Sequence, residues 1–265
     1  MKVEFALAQA IGGRDTQEDC CAIVTGHSVL KSFEGPSYCD AAEPPILCVM
    51  CDGMGGHASG EVASRLAVSA MVETALAGQI CSQAFDRILQ SGCVSANEAI
   101  ARTSRSCPET AGMGTTIVAI GIDNGLMHWV SIGDSHLLLL TRGQLYKLNQ
   151  DHSMRPAIDR MVERHIISAD DASRHPQRNV LRSVLMGEEV ALVDIGFGGW
   201  PLHRGDAIIL ASDGLDVLGV RDVKRCFDRW RFDSADTIAR HLVEHACAVG
   251  GSRQDNTSVI VARVL

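Results

Sequence analysis

The chain has 265 residues, 46% of them hydrophobic and 21% charged, which is enough to bury a sizeable core and too apolar for general disorder. Its 24 Lys and Arg face 32 Asp and Glu, a formal charge of −8 that excludes the basic excess of a general nucleic-acid binder. The longest uncharged stretches, such as 110–122, are too short and too rich in Gly and Thr for the roughly 20 apolar residues of a membrane span.

Residues 1–10 carry Lys2 and Glu4 inside their apolar run and do not read as a signal peptide. Ten cysteines without such a signal point to a reducing cytoplasm and free thiols. Strands are predicted over 3–9 and 22–25, on either side of Gly12-Gly13-Arg14. Residues 27–45, with Gly35, Pro36, Pro44 and Pro45 and no periodicity, read as a loop. An apolar strand over 46–51 ends in Asp52-Gly53-Met54-Gly55-Gly56. Helical spacing follows over 61–77, through Val62, Leu66, Ala70 and Met71, and over 82–103, through Phe85, Ile88, Leu89 and Ile100. The pairs Cys20-Cys21 and Cys48-x-x-Cys51 lie in strand-like runs, where odd offsets send side chains to opposite faces, so they read as buried hydrophobes rather than zinc ligands or disulfides.

Asp123-Asn124-Gly125 between 115–122 and 126–132 is a strong hairpin signal, and a second hairpin joins 137–140 to 145–148. Residues 154–183 are polar and Arg-rich and are expected to form short helices and loop. Residues 207–211 read as a strand, 234–249 as a helix and 257–265 as a closing strand. Strands and helices are grouped rather than alternating, which indicates an α+β fold.

Four apolar strands each carry an aspartate at one end beside a small or turn-forming residue: Asp52, Asp134, Asp213 and Asp255. Converging carboxylates repel unless a cation neutralises them, and oxygen-only donors select Mg²⁺ or Mn²⁺ over zinc. Asp also favours turns and helix caps, so the residues alone leave the metal and turn readings side by side.

Taken in order, the motifs resemble the bacterial form of the metal-dependent type 2C protein serine/threonine phosphatases. They are Arg14-Asp15-Thr16-Gln17-Glu18-Asp19, Asp52-Gly53-Met54-Gly55-Gly56-His57, Gly114-Thr115-Thr116, Gly133-Asp134-Ser135, Asp151-His152-Ser153, the run from His175 to Val180, Ser212-Asp213-Gly214 and Asp255-Asn256. The resemblance implies one domain over 1–265, built as a four-layer αββα sandwich of two antiparallel sheets packed face to face with helices on both outer faces. It implies hydrolysis of phosphoserine and phosphothreonine in proteins by attack of a metal-bridging hydroxide, with two Mn²⁺ or Mg²⁺ ions per chain. Asp52 would bridge both ions, Asp213 and Asp255 would complete the first, and the carbonyl of Gly53 would bind the second. Glu18 and Asp19 would hold the waters around the second ion, and Arg14 would grip the phosphate. The partners implied are phosphoproteins made by a cognate serine/threonine kinase, with no nucleic acid and no membrane, and the chain is expected to be a monomer. The rival is a catalytically weak phosphoprotein-binding or regulatory module on the same scaffold, which should have lost Arg14 or the metal aspartates.

Some positions depart from the family pattern. Met54 stands where the eukaryotic branch has a histidine, so solvent is expected to protonate the leaving alkoxide; His57 reads as a loop or cap histidine. His136 stands where the Gly-Asp-Ser motif usually continues with Arg, and Gln254 precedes Asp255 where Arg is frequent. A third metal site, of Asp134 and Asp216, is left open because Asp216 follows Asp213 by three residues rather than the usual four. His241-Leu242-Val243-Glu244-His245 spells an inverted zinc-protease motif, but Asp255 is the sole acid after it, and the segment reads as an ordinary amphipathic helix. Ala58 breaks the spacing a dinucleotide-binding loop would need. The 154–183 segment corresponds to the family's variable flap; with six Arg against four acids it either guides acidic phosphoproteins or is a solvated surface.

Overall fold

The computed structural model describes residues 1–26, 28–32, 37–55, 59–78 and 85–265. The first half of the chain forms β1 (Val3–Ala10), β2 (Asp19–Thr25), β3 (Val29–Lys31), β4 (Ser37–Ala42), β5 (Ile46–Met54), α1 (Ser59–Ala77), α2 (Phe85–Ser106), β6 (Gly114–Thr115), β7 (Ile117–Asp123) and β8 (Leu126–Ile132). The second half forms β9 (His136–Thr141), β10 (Gln144–Lys147), α3 (Arg155–Glu163), α4 (Ala169–Ser173), β11 (Asp194–Pro201), β12 (Ala207–Ala211), α5 (Val220–Trp230), α6 (Ala235–Gly250) and β13 (Thr257–Val264). One sheet has the order β10-β9-β12-β13-β1-β4, and the other β11-β8-β7-β5-β2-β3, with β6 on the end of β5. Every ladder in both is antiparallel.

Three buried clusters define four layers. Phe5, Leu7, Ile23, Met50, Ile120, Leu139, Leu210 and Ile260 fill the space between the sheets. Val49, Cys51 and Ala119 turn outward under Met71 of α1 and Leu89 of α2. Ile209, Val259 and Val261 turn outward on the other side under Phe227 of α5 and Leu242 of α6. Both faces of each central strand are therefore dry, which is why β5 and β12 read as unbroken apolar runs rather than alternating ones. The strand period survives in the cysteines: Cys20 and Cys51 join the helix-side cluster, Cys21 and Cys48 the inter-sheet cluster. All four are buried free thiols, as expected.

The two hairpins form as predicted. Asn124 and Gly125 (φ 46° and 77°) and Arg142 and Gly143 (φ 49° and 75°) adopt the left-handed pair that matches strand twist. They belong to different sheets, β7–β8 in one and β9–β10 in the other. The predicted loop over 27–45 is corrected: it contains β3 and β4, short strands that pair with β2 and β1 at the sheet margins. The elements β11 and α5 have no counterpart among the predicted ones. Gly35, Pro36, Gly56, His57, Ala58 and the start of the predicted 82–103 helix lie outside the described residues. His241 and Glu244 sit on α6, where the His241 ring stacks on Trp230 at 4.2 Å and bonds Glu244 at 3.1 Å, an ordinary helix-surface arrangement. Among the described residues no helix is long and apolar enough to cross a membrane.

Candidate active site

The predicted carboxylates gather where both sheets end. Asp19 opens β2 directly across from Asp52 on β5. Asp213 begins the 3-10 turn Asp213–Val217 after β12, and Asp255 precedes β13, whose neighbour in the sheet is β12. The Asp52 backbone is fixed from both sides: its N–H donates to Thr116 Oγ1 (3.1 Å), and its carbonyl accepts from Thr115 Oγ1 (2.8 Å) and Thr116 N (2.9 Å). Thr116 Oγ1 also meets Ser135 Oγ at 2.8 Å, tying the Gly-Thr-Thr motif to the Asp134 loop.

Crowding and burial act on most of the carboxyls in this group. Burial first, then the charges of Asp19, Asp213, Asp134 and Asp255, pushes the Asp52 carboxyl well above the usual carboxylate range. Asp19 is pushed up to about 7 by burial, against the opposing hydrogen bonds of Ser258 and Ser212. Asp213 is raised by burial and by the charges of Asp255 and Asp216. Glu18 is raised by burial, with the Arg14 guanidinium pulling the other way. Asp134, behind them, is pushed up to about 7 by burial and by Asp213.

Divalent cations fit this donor set. The donors are carboxylate oxygens, hard and anionic. Asp19 Oδ1 is buried with no hydrogen-bond partner, while Oδ2 accepts from Ser212 Oγ (2.8 Å) and Ser258 Oγ (2.7 Å). Among the described residues no three His, Cys, Asp or Glu side chains already form a ligand cage. Instead Asp255 is paired with Arg14, Nη2 to Oδ2, at 2.5 Å. Arg14 is thus placed at the site, and its partner here is a carboxylate.

The loop that carries Arg14 and Glu18 is held by Asn256. Its Oδ1 accepts from Glu18 N (2.8 Å), and its Nδ2 donates to the carbonyls of Ile11 and Thr16 (2.9 Å each). Gly53 N donates to the Glu18 carbonyl at 3.2 Å, joining the same loop to β5.

Asp134 and Asp216 fare differently. In a 3-10 turn residues i and i+3 eclipse, so the three-residue spacing puts Asp216 over Asp213 on one face. Asp216 is engaged on both oxygens, by His136 Nε2 (2.9 Å) and by the Arg155 guanidinium through Nη1 (2.5 Å). Burial alone would raise it, but these two partners hold it at about 2. Beside it, Arg155, Arg174, His175 and Arg178 line an open cleft next to α3 and α4.

Several supporting residues escape a sequence reading. Ser258, polar within the apolar strand β13, serves Asp19. Gln254 Nε2 donates to the Gly214 carbonyl and to Thr257 Oγ1 (2.7 Å each), locking the Asp213 turn to the Asp255 turn. Ser258 could be found as the lone inward hydroxyl of its strand; the partners of Asp216 carry no local signal.

A model of the family described as "Protein phosphatase 2C" matches residues 36–245. The chain is 32% identical over 222 residues to the serine/threonine protein phosphatase PstP of Mycobacterium tuberculosis, covering 83% of this chain and 40% of that protein. It is 35% identical over 176 residues to the serine/threonine phosphatase stp of Listeria monocytogenes, covering 64% of this chain and 66% of that one. The chain thus spans less than two thirds of the length of either relative. The crystal structure of the PstP catalytic domain in complex with two manganese ions superposes with a TM-score of 0.78 at 28% identity, covering 100% of both chains.

Proposed function

The chain belongs to the protein phosphatase 2C family, and we propose that it hydrolyses phosphoserine and phosphothreonine in proteins with two Mn²⁺ or Mg²⁺ ions. The observation that carries this reading is the edge where Asp19, Asp52 and Asp213 crowd one another beside Asp255 and are all raised, an arrangement that bound cations relieve. Asp52, Asp213 and Asp255 would hold the first ion, Asp52 and the Gly53 carbonyl the second, and Glu18 and Asp19 would accept hydrogen bonds from its waters. When bound, such ions make a water nucleophilic at neutral pH and offset charge building on phosphorus.

The remaining work falls to the chain's own groups. Arg14 exchanges the Asp255 carboxylate for two phosphoryl oxygens, offering a planar fork that an ammonium lacks. Its side chain is 55% exposed, so the exchange needs no opening of the core. Met54 has no proton to give, so water protonates the leaving alkoxide. The basic flap cleft beside the site favours phosphoproteins with acidic flanks. The chain is read as one domain over 1–265 with 154–183 as flap. It is expected to act as a cytoplasmic monomer on the products of a cognate kinase.

Arg14 tests the reading. Losing a charge-assisted bidentate contact, worth about 1.5–3 kcal/mol, should lower kcat/KM on a phosphothreonine peptide by roughly 10- to 100-fold in Arg14→Ala. Arg14→Lys should recover part of it. Mn²⁺ affinity, measured by calorimetry, should hold. Unchanged kinetics would remove Arg14 from the phosphate, and collapsed Mn²⁺ affinity would make it a support of the carboxylates instead.

A further inference from the structure

Both oxygens of Asp216 are already taken by protein donors, one of them a cation. Oδ2 accepts from Arg155 Nη1 at 2.5 Å and Oδ1 from His136 Nε2 at 2.9 Å. The His136 orientation is fixed from behind: Lys147 Nζ lies 2.9 Å from Nδ1, and an ammonium can only donate. Nδ1 therefore accepts, and Nε2 carries the hydrogen that points at Asp216. Arg155 is equally constrained. It is the first residue of α3, its N–H donates to Ser153 Oγ (3.1 Å), and its Nη2 donates to Asn179 Oδ1 (3.4 Å). Its side chain is only 20% exposed, with Asp151 Oδ2 4.0 Å from Nε, so this is no loose surface pair.

The charge supplied by the protein equals that of one divalent ion. Arg155 and Lys147 bring two positive charges to the three carboxylates of Asp134, Asp151 and Asp216, which all act on these two cations.

We infer that Arg155, supported by His136, supplies from the protein the charge that a third divalent ion would bring to Asp216, so that the chain binds two ions tightly and a third only weakly. This rests on the two-ion reading above. Arg155 is here a positioning residue that also anchors the flap helix α3 to the turn following Asp213. Unlike an ion, its guanidinium is tethered to the chain and cannot be removed by chelation.

The test is Mn²⁺ binding by calorimetry, with bound Mn²⁺ counted by electron paramagnetic resonance, on the whole chain. Wild type should bind two ions, with a third at least tenfold weaker. Arg155→Met should tighten that third ion at least tenfold, Arg155→Lys should not, and adding Asp216→Asn to Arg155→Met should cancel the gain. Three ions of similar affinity in wild type would overturn the inference, as would an unchanged third ion in Arg155→Met or the same gain in Arg155→Lys. If Arg155→Met does not fold, His136→Ala frees Oδ1 alone and must still tighten the third ion; no change there also overturns it. Binding of no ion at all overturns the two-ion reading and this inference with it, whereas a third tight ion overturns this inference alone.

Discussion

Asp52→Asn should lower turnover on a phosphothreonine peptide by at least about a hundredfold, a loss near 2.7 kcal/mol, while making the metal-free protein more stable. Asp52 feels the charge of Asp19, Asp213, Asp134 and Asp255 together. Any ion held by this edge therefore draws on its carboxylate, and without ions the same carboxylate is a source of repulsion. An amide keeps the shape and removes the charge. Activity and stability should move in opposite directions, which a merely misfolded variant cannot imitate. Turnover within about tenfold of wild type, a loss near 1.4 kcal/mol, would show that Asp52 is not shared between ions. A metal-free Tm that falls would show that the carboxylate stabilises the fold by some other route.

Gly53→Ala should be among the most damaging changes of a single methyl group. A Cβ there would press into the Gly60 carbonyl at the start of α1 and come within 2.7 Å of the Glu18 carbonyl oxygen. Neither obstacle is a flexible side chain: both are backbone of elements that frame the site. Relief requires β5, α1 or the Glu18 loop to move, at about 1–3 kcal/mol for overpacking, which for a domain of this size is a fall in Tm of roughly 5 °C. The Gly53 carbonyl would move with it, so Mn²⁺ affinity should weaken in the same variant. An unchanged Tm with unchanged Mn²⁺ affinity would mean that the junction between β5 and α1 is looser than the structure has it.

The α+β sandwich and the carboxylate edge are legible in the sequence, while several marginal elements are not. Asp52, Asp213 and Asp255 advertise themselves because a carboxylate can leave a sheet only where a strand ends, next to Gly or another turn former. The β7–β8 hairpin was legible because Asn124-Gly125 suits few other backbones. By contrast β11, with the sequence DIGFGGWP, is a glycine-rich margin strand whose register against β8 shifts between Gly196 and Trp200, so no period of two survives. The strands β3 and β4 are short, lie beside Gly and Pro, and owe their existence to β2 and β1 rather than to their own pattern. The spacing of Asp216 looked anomalous because four residues suit an α-helical turn. The turn is 3-10, and three residues reach the same face. That His136 and Arg155 close on Asp216 is a tertiary fact, spread over β9, α3 and the turn after β12, and no local window contains it.

The most direct measurement is phosphate release from a phosphothreonine peptide by protein stripped with EDTA and then given back single metals. If the crowded carboxylate edge is a two-ion site, release falls to background on stripping and returns with Mn²⁺ or Mg²⁺. Turnover that survives exhaustive chelation, or that only Zn²⁺ restores, would contradict it.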